Sequence, residues 1–220
     1  MSDLNLQQAR HNMVLQQIRP WDVLDQRVLD LLETIPREDF VPEIYRKLAY
    51  ADINIPLGHA ELMMPPRVEA RMLQALNIQP QETVLEIGTG SGFVTALLAK
   101  LARHIYSVDI HPEFTAAATQ KLSAHGFMNV TLDTGDAASG WSKCGQVDVI
   151  AITGSLPILP DVFEKALKPG GRLFAIVGDS PAMEAILITR LSENEFRRET
   201  LFETDLPALR NAPQPNRFVL

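Results

Sequence analysis

Hydrophobic positions between residues 83 and 177 occur in short runs of strand length, and stretches with helical spacing separate these runs. The predicted strands cover residues 83–87, 105–109, 130–132, 147–153 and 172–177. An alternation of strands and helices is typical of βαβ units. The pattern therefore predicts an α/β fold, with a mostly parallel sheet and helices on both of its faces.

The two ends of the chain follow other patterns. Beyond residue 179, apolar runs at 185–191 and 196–202 predict an antiparallel pair that closes one edge of the sheet. In the first 80 residues, helical patterns at 6–18 and 23–35 precede a series of prolines, and Pro66 is expected to open a further helix. The proline-rich stretch 207–215 is expected to be loosely ordered.

The segment after the first predicted strand contains the main chemical signal. Glu86 lies near the end of that strand, and Gly88, Gly90 and Gly92 follow it before a predicted helix. Glycines let a ligand approach the main chain, and a helix start offers free N–H groups. The dinucleotide fingerprint requires glycine at position 93, where this chain has Phe93. The loop is instead similar to the first motif of S-adenosylmethionine-dependent methyltransferases, whose cofactor has a cationic amino acid end that suits a carboxylate at position 86.

Two further acids follow later strands. Asp109 ends the second predicted strand, 21 residues after Gly88, where an acid typically accepts hydrogen bonds from ribose hydroxyls. Asp136 follows the third strand, at a place where this methyltransferase class usually holds the adenine amino group. Each feature alone also fits a tight turn or a helix cap, but their order on successive strands favours a cofactor site. The predicted cofactor-binding residues are Glu86, Gly88, Thr89, Gly90, Ser91, Gly92, Asp109, Ile110, Asp136 and Ala137.

Composition narrows the function classes. The net charge of −7 and the absence of a Lys and Arg cluster argue against nucleic-acid binding. No apolar run approaches the roughly 20 residues that span a bilayer, so no membrane span is expected. The single cysteine, Cys144, fits a reducing cytoplasm. The histidines do not pair at metal-ligand spacings, so no metal is expected, and the oligomeric state stays open.

Several segments resemble the protein-L-isoaspartate O-methyltransferase family. They are residues 13–18 (MVLQQI), 35–42 (IPREDFVP), 49–52 (AYAD), 55–59 (IPLGH) and 86–92 (EIGTGSG), with Gly135-Asp136 and Gly140-Trp141. The resemblance spans about residues 9–178. It implies a class I methyltransferase, Rossmann-like fold and S-adenosylmethionine-dependent methylation of the α-carboxylate of L-isoaspartyl residues in damaged proteins. On this basis we expect residues 1–80 to be a helical extension that caps the substrate, and residues 81–220 to be the cofactor-binding domain, within one structural unit.

The chain departs from the family after Gly58-His59. The family continues there into a Gln-Thr-Ile-Ser-Gln-Pro stretch whose serine is implicated in catalysis, and Met64 stands at the position of that serine. A thioether cannot donate a hydrogen bond, so the catalytic residue is unknown. Candidate substrate contacts are His59, Glu61, Met64 and Arg67, although a solvated surface position fits His59, Glu61 and Arg67 at least as well.

The same departure leaves the acceptor open. Leu62, Met63 and Met64 make the expected pocket wall more apolar, which would suit a small or apolar acceptor. Alternatively these side chains pack into a core. The expected partner is thus a protein or peptide with an isoaspartyl residue, or a small molecule. A non-catalytic S-adenosylmethionine-binding protein is a further alternative.

Overall fold

A seven-stranded sheet and a separate two-stranded hairpin account for the strands within residues 3–215, the part of the chain that this computed structural model describes. The hairpin pairs β1 (Ile55–Gly58) with β2 (Glu61–Met63). The other strands are β3 (Thr83–Ile87), β4 (His104–Asp109), β5 (Val130–Thr134), β6 (Val147–Leu156), β7 (Leu167–Asp179), β8 (Ala182–Arg190) and β9 (Phe196–Thr204). The α-helices are α1 (Asp3–Met13), α2 (Gln26–Thr34), α3 (Pro66–Leu76), α4 (Phe93–Leu101), α5 (Pro112–Ala124) and α6 (Asp161–Lys165).

The strand order of the main sheet is β5-β4-β3-β6-β7-β8-β9. Its first five strands are parallel, and β8 and β9 run antiparallel to their neighbours, so the predicted mostly parallel sheet with an antiparallel edge is confirmed. Every residue of β3 is buried, as expected for a central strand covered on both faces. The carboxyl ends of β3, β4 and β5 meet at one edge of the sheet, which is where ligands bind in open α/β folds.

The core lies on both faces of the sheet because side chains alternate along each strand. Val84 and Val149 belong to one buried cluster, which also contains residues of α3, α4 and the N-terminal helices. Leu85 and Ile150 belong to the cluster on the other face, together with Phe163 of α6. Helices therefore cover both faces, and the N-terminal segment shares a core with the sheet.

The N-terminal segment is helical, as predicted, but it also contains irregular turns. After α1, residues Val14–Ile18 form one π-helical turn and Arg19–Trp21 a 3₁₀ turn. The proline at position 66 opens α3 as expected, because its missing N–H has no partner at a first helical position. No helix among residues 3–215 is both long and apolar enough to cross a membrane.

The expectation of loose order after residue 207 is wrong for the described residues. Ser155 of β6 donates its backbone N–H to the carbonyl of Pro207 at 3.0 Å and accepts from the N–H of Leu209 at 2.9 Å. Ala212 is buried in the second core cluster. Backbone hydrogen bonds and apolar packing therefore hold this segment against the sheet, despite its prolines.

The edge strand β9 is strongly charged. Among the strands of the described part of the chain it pairs with β8 alone, and it exposes Arg197, Arg198, Glu199 and Glu203. Arg197 and Glu199 form an ion pair at 2.8 Å on this strand.

Candidate cofactor and acceptor site

The glycine loop, residues 88–92, joins β3 to α4. Gly88, Gly90 and Gly92 all have positive φ, at 99°, 49° and 83°. A Cβ atom on Gly88 would lie 2.4 Å from the hydroxyl oxygen of Thr153, and one on Gly92 would lie 3.0 Å from the Cβ of Ala118. The loop therefore needs glycine both for its backbone angles and for its close approach to neighbouring elements.

Asp109, at the end of β4, is tied to the glycine loop. Its carboxylate accepts the backbone N–H of Gly90 at 2.8 Å and that of His111 at 2.9 Å. Burial raises the pKa of Asp109, and these two backbone donors oppose the increase. A carboxylate has about four acceptor positions, so this one can still accept hydrogen bonds from a vicinal diol.

Asp136 follows β5 and is exposed. Its carboxylate accepts the backbone N–H of Ala138 at 3.1 Å and the side-chain amide of Asn211 at 2.8 Å. The structure thus places this acid beside the C-terminal segment as well as at the strand end.

A cleft of about 650 Å³ lies where these parts meet. The predicted residues Gly88, Gly90, Asp109, Ile110, Asp136 and Ala137 line it. Its other walls include Leu57, Glu61, Leu62, Phe114, Thr153, Gly154, Leu209 and Arg210. Apolar surface predominates in the lining of the cleft, as is common in small-molecule sites.

Glu86 lies beneath the loop and lines neither this cleft nor the smaller cavity described below. It is fully buried and accepts hydrogen bonds from the hydroxyls of Thr95 at 2.5 Å and Ser107 at 2.6 Å. Burial raises the pKa of Glu86 to about 8. The hydroxyl of Thr89 contacts that of Ser107 at 2.6 Å, so Glu86 supports the loop through this network. The structure does not bring Glu86 to the position expected for the amino acid end of the cofactor.

A smaller cavity of about 290 Å³ adjoins the cleft. The two cavities share Leu57, Leu62, Gly88, Gly90 and Thr153. Met63, Met64, Glu69, Thr89, Ser91 and Val94 complete the lining of the smaller cavity. The two methionines are buried among the core residues, and they also line the smaller cavity. The two expectations for them, core packing and a pocket wall, therefore hold together. Gly92 lines neither cavity.

A buried ion pair lies behind this wall. Arg37 and Glu69 are both fully buried, and the guanidinium donates to one carboxylate oxygen of Glu69. Arg37 also donates to the carbonyl of Met64 at 2.7 Å and lies over the ring of Phe93. The second carboxylate oxygen of Glu69 has no hydrogen-bond partner within residues 3–215. Burial raises the pKa of Glu69, and the charge of Arg37 opposes this effect.

The other substrate candidates separate into two groups. His59 and Glu61 lie in the hairpin beside the cleft, where Arg210 donates to Glu61 at 2.7 Å and to the carbonyl of His59. Arg67 lines neither cavity, because it pairs with Asp52 at 2.5 Å and stacks on Trp21.

The spacing argument against a metal overlooked a spatial cluster. The fold brings His59, His111 and Glu113 together, with potential ligand atoms within 4.8 Å of one another. The rings of His59 and His111 stack with centroids 4.4 Å apart and planes 23° apart. The nitrogen lone pairs lie in the ring planes, and lone pairs in two nearly parallel stacked planes do not converge on one point, so this arrangement favours packing of the two rings over binding of one ion.

Sequence reasoning missed the contribution of the C-terminal segment. Leu209 and Arg210 line the cleft, and a Cβ atom on Gly154 would lie 2.6 Å from Leu209. The only local signal was the pair of leucines, Leu206 and Leu209, among prolines. Their position against β6 depends on pairing over some 50 residues, which no short motif encodes.

Comparisons with known proteins place these observations in context. The model of the family "Protein-L-isoaspartate(D-aspartate) O-methyltransferase (PCMT)" matches residues 8–206. Protein-L-isoaspartate O-methyltransferase 2 of Marinobacter nauticus is 37% identical over 195 residues, covering 88% of this chain and 89% of the relative. The Myxococcus xanthus protein-L-isoaspartate O-methyltransferase is 42% identical over 165 residues, covering 75% and 78%.

Two solved structures share the fold. One is a protein-L-isoaspartate O-methyltransferase with a TM-score of 0.76 and 22% identity, which covers 90% of this chain and 65% of the solved chain. The other is a putative protein-L-isoaspartate O-methyltransferase from Plasmodium falciparum in complex with S-adenosyl-L-homocysteine, with a TM-score of 0.78 and 16% identity, covering 93% and 98%. The predicted Rossmann-like, class I methyltransferase architecture is confirmed.

Proposed function

The chain belongs to the protein-L-isoaspartate(D-aspartate) O-methyltransferase family, and from this premise we propose that it methylates the α-carboxylate of L-isoaspartyl residues in damaged proteins. S-adenosylmethionine is the proposed methyl donor. The observation that supports the proposal most directly is the cleft in which Gly88, Asp109 and Asp136 meet at the carboxyl ends of three adjacent strands.

The residues of the cleft fit an adenosyl cofactor. Gly90 presents its main chain without a side chain in the way, and Asp109 retains free acceptor positions for the two ribose hydroxyls. Asp136 offers carboxylate oxygens to the adenine amino group, and Ile110 and Ala137 offer apolar contacts to the base. When bound, S-adenosylmethionine supplies an electrophilic methyl group on a positively charged sulfur.

The protein needs no general base for this reaction. An α-carboxylate has a reference pKa of roughly 3.5 and is already ionised at neutral pH. The residues of the site therefore act by holding the carboxylate in line with the methyl group, an effect worth about 7–11 kcal/mol in well-oriented systems. Leu57 and Leu62 contribute apolar side chains to the wall of the larger cleft.

The methionine at position 64 reduces the rate without removing the reaction. A serine there would hold the carboxylate by one charge-assisted hydrogen bond, worth about 1.5–3 kcal/mol. Its loss corresponds to a rate reduction of roughly tenfold to a hundredfold. Activity on isoaspartyl peptides is therefore slower than with a serine, but measurable.

The proposal extends to the N-terminal segment and to the location of the protein. Leu57, Glu61 and Leu62 of the hairpin line the cleft, which supports a role for residues 1–80 as a cap on the substrate side. Cys144 is a free thiol, which fits a reducing cytoplasm.

The decisive experiment uses labelled S-adenosylmethionine with matched peptides that contain isoaspartate or aspartate at the same position. We expect a base-labile methyl ester on the isoaspartyl peptide alone. Calorimetric titration with S-adenosylhomocysteine shows independently whether the cofactor site works. Binding without any transfer to the isoaspartyl peptide would contradict the proposed acceptor while leaving the proposed cofactor intact.

One observation supports a second candidate. The smaller cavity is lined by Leu57, Leu62, Met63, Met64 and Val94, which suits a small apolar acceptor. The test incubates the protein and labelled cofactor with a cell extract and, separately, with an isoaspartyl peptide. Transfer of label to a small molecule of the extract, without transfer to the peptide, would favour this candidate.

A further inference from the structure

The smaller cavity contains a carboxylate that neither the family resemblance nor the sequence motifs identify. We propose that Glu69 receives the α-ammonium group of the amino acid end of S-adenosylmethionine, an inference that rests on the cofactor named in the proposed function. Sequence reasoning assigned this role to Glu86, whereas the structure turns a different acid toward the site.

Glu69 has an unused acceptor in a buried position. Its side chain is fully buried, Arg37 occupies one carboxylate oxygen, and the other oxygen has no partner among the described residues. A buried carboxylate oxygen without a hydrogen bond is costly. A ligand with a positively charged donor removes this cost, and an ammonium group supplies three N–H donors.

The position of Glu69 fits the shape of the cofactor. The smaller cavity lies against Thr89, Gly90 and Ser91 of the glycine loop and shares five lining residues with the cleft. A ligand longer than adenosine can thus occupy both cavities. With the nucleoside at Asp109 and Asp136, the amino acid end is the part that remains for the smaller cavity.

Charge distinguishes the cofactor from the acceptor as the partner of Glu69. The acceptor group of the proposed reaction is itself a carboxylate, and two carboxylates in one buried site repel each other. The α-ammonium of the cofactor carries the opposite charge. An apolar cavity with one free carboxylate oxygen therefore selects the ammonium.

The other acids of the site are less suitable. Thr95 and Ser107 both donate to Oε2 of Glu86, and its Oε1, like that of Glu69, has no partner among the described residues. Glu86 lines neither cavity, however, so that oxygen does not face the site. Glu61 lines the larger cleft but not the smaller cavity, and its side chain is 24% exposed. Asp109 accepts two backbone N–H groups and is the proposed ribose ligand.

Calorimetry tests the proposal without any catalytic readout. The probes are S-adenosylhomocysteine and its analogue in which hydrogen replaces the α-amino group. We expect the wild-type protein to bind the amine-containing ligand roughly tenfold to a hundredfold more tightly, as for one charge-assisted hydrogen bond. In Glu69→Gln this preference should largely disappear, while affinity for the analogue stays at the wild-type level.

Control variants separate charge from folding. Glu38→Gln is a matched change, because Glu38 is also buried and paired with an arginine, Arg10, but lines neither cavity. It should retain the full amine preference, and so should Glu86→Gln. Glu69→Asp keeps the charge and should retain part of the amine preference. This variant provides the test if Glu69→Gln does not fold.

The outcomes are distinguishable. Equal binding of both ligands by the wild-type protein, or an unchanged preference in Glu69→Gln, would overturn the role of Glu69 and leave the cofactor assignment in place. If the wild-type protein binds neither ligand, the cofactor assignment fails and the role of Glu69 fails with it. Loss of the preference in Glu86→Gln but not in Glu69→Gln would assign the ammonium contact to Glu86.

Discussion

The carboxylate of Asp109 accepts the backbone N–H of Gly90 at 2.8 Å. This bond joins the end of β4 to the glycine loop after β3, so the two parts of the proposed cofactor site fix each other. Asp109 therefore has a structural role in addition to any contact with ribose, and substitutions at this position test both.

Asp109→Ala removes the acceptor of two backbone N–H groups and the proposed ribose contact. We expect calorimetric binding of S-adenosylhomocysteine to weaken by at least a hundredfold, since each hydrogen bond to a charged group contributes about 1.5–3 kcal/mol. The circular dichroism spectrum should remain that of a folded protein. Asp133→Ala is the control, because Asp133 pairs with Lys143 and lines neither cavity. Equal binding of S-adenosylhomocysteine by the two variants would show that the cofactor does not bind at Asp109.

Gly88→Ala tests the close approach of the loop to β6. The new Cβ would lie 2.4 Å from the hydroxyl of Thr153, at a φ of 99°. Gly126→Ala also places a side chain at positive φ, but in open space. We expect the control to lose about 1 kcal/mol from backbone strain. Gly88→Ala should lose a further 1–3 kcal/mol from overpacking, at about the level seen in other cores, and should bind no cofactor.

Urea unfolding measures the loss of stability in each variant, and calorimetry measures the loss of cofactor binding. The same test applies to Gly88→Val, which adds a larger group at the same place. Equal free energies of unfolding in Gly88→Ala and Gly126→Ala would mean that Thr153 does not restrict this position.

Met64→Ser restores a hydroxyl at the position where the family has serine. We expect faster methylation of an isoaspartyl peptide than in the wild type, by roughly tenfold at least. Met64 is only 3% exposed, so the variant should also lose about 2–5 kcal/mol of stability to the new cavity. Met64→Ala creates a similar cavity without the hydroxyl. A rate for Met64→Ser no higher than that for Met64→Ala would remove any role for the hydroxyl.

The raised pKa of Glu86 predicts how the free energy of unfolding depends on pH. Burial raises its pKa from 4.5 to about 8, so the folded state holds a proton that the unfolded state releases between these values. This contribution to stability is complete below pH 4.5 and is lost as the pH rises through 8. Its slope is up to about 1.4 kcal/mol per pH unit.

Glu86→Gln is uncharged at every pH and should remove this term. Its stability relative to the wild type, measured by urea unfolding, should rise from pH 5 to pH 8.5. The exposed change Glu193→Gln should leave the wild-type profile intact. Parallel profiles for Glu86→Gln and the wild type would show that Glu86 does not release its proton on unfolding in this range.

The sheet could be predicted from the sequence because its signals are local. The bounds of β3 match the prediction, since a short, mostly apolar run ends there at a glycine loop. The hairpin of β1 and β2 could not be predicted. His59 and Ala60 adopt left-handed angles at its turn, with φ of 53° and 63°, and two successive non-glycine residues in this conformation are uncommon.

The residues of the candidate site likewise fall into two groups, those that the sequence predicts and those that it does not. Asp109 and Asp136 follow strands directly, so topology brings them to one edge of the sheet. Glu69 looks in the sequence like any acid on a helix, because its burial depends on Arg37, which is 32 residues away. Leu209 reaches the cleft only through pairing with β6. Such contacts depend on how distant segments pack, and no spacing rule encodes them.

The charged side chains of β9 affect how this sheet edge interacts with unfolded proteins. An open sheet edge can recruit extended segments of other chains and so begin aggregation. The exposed charged side chains of β9 oppose such recruitment, because an incoming apolar strand would have to desolvate them. The charged edge therefore lowers the tendency of this sheet to pair with extended segments of other proteins.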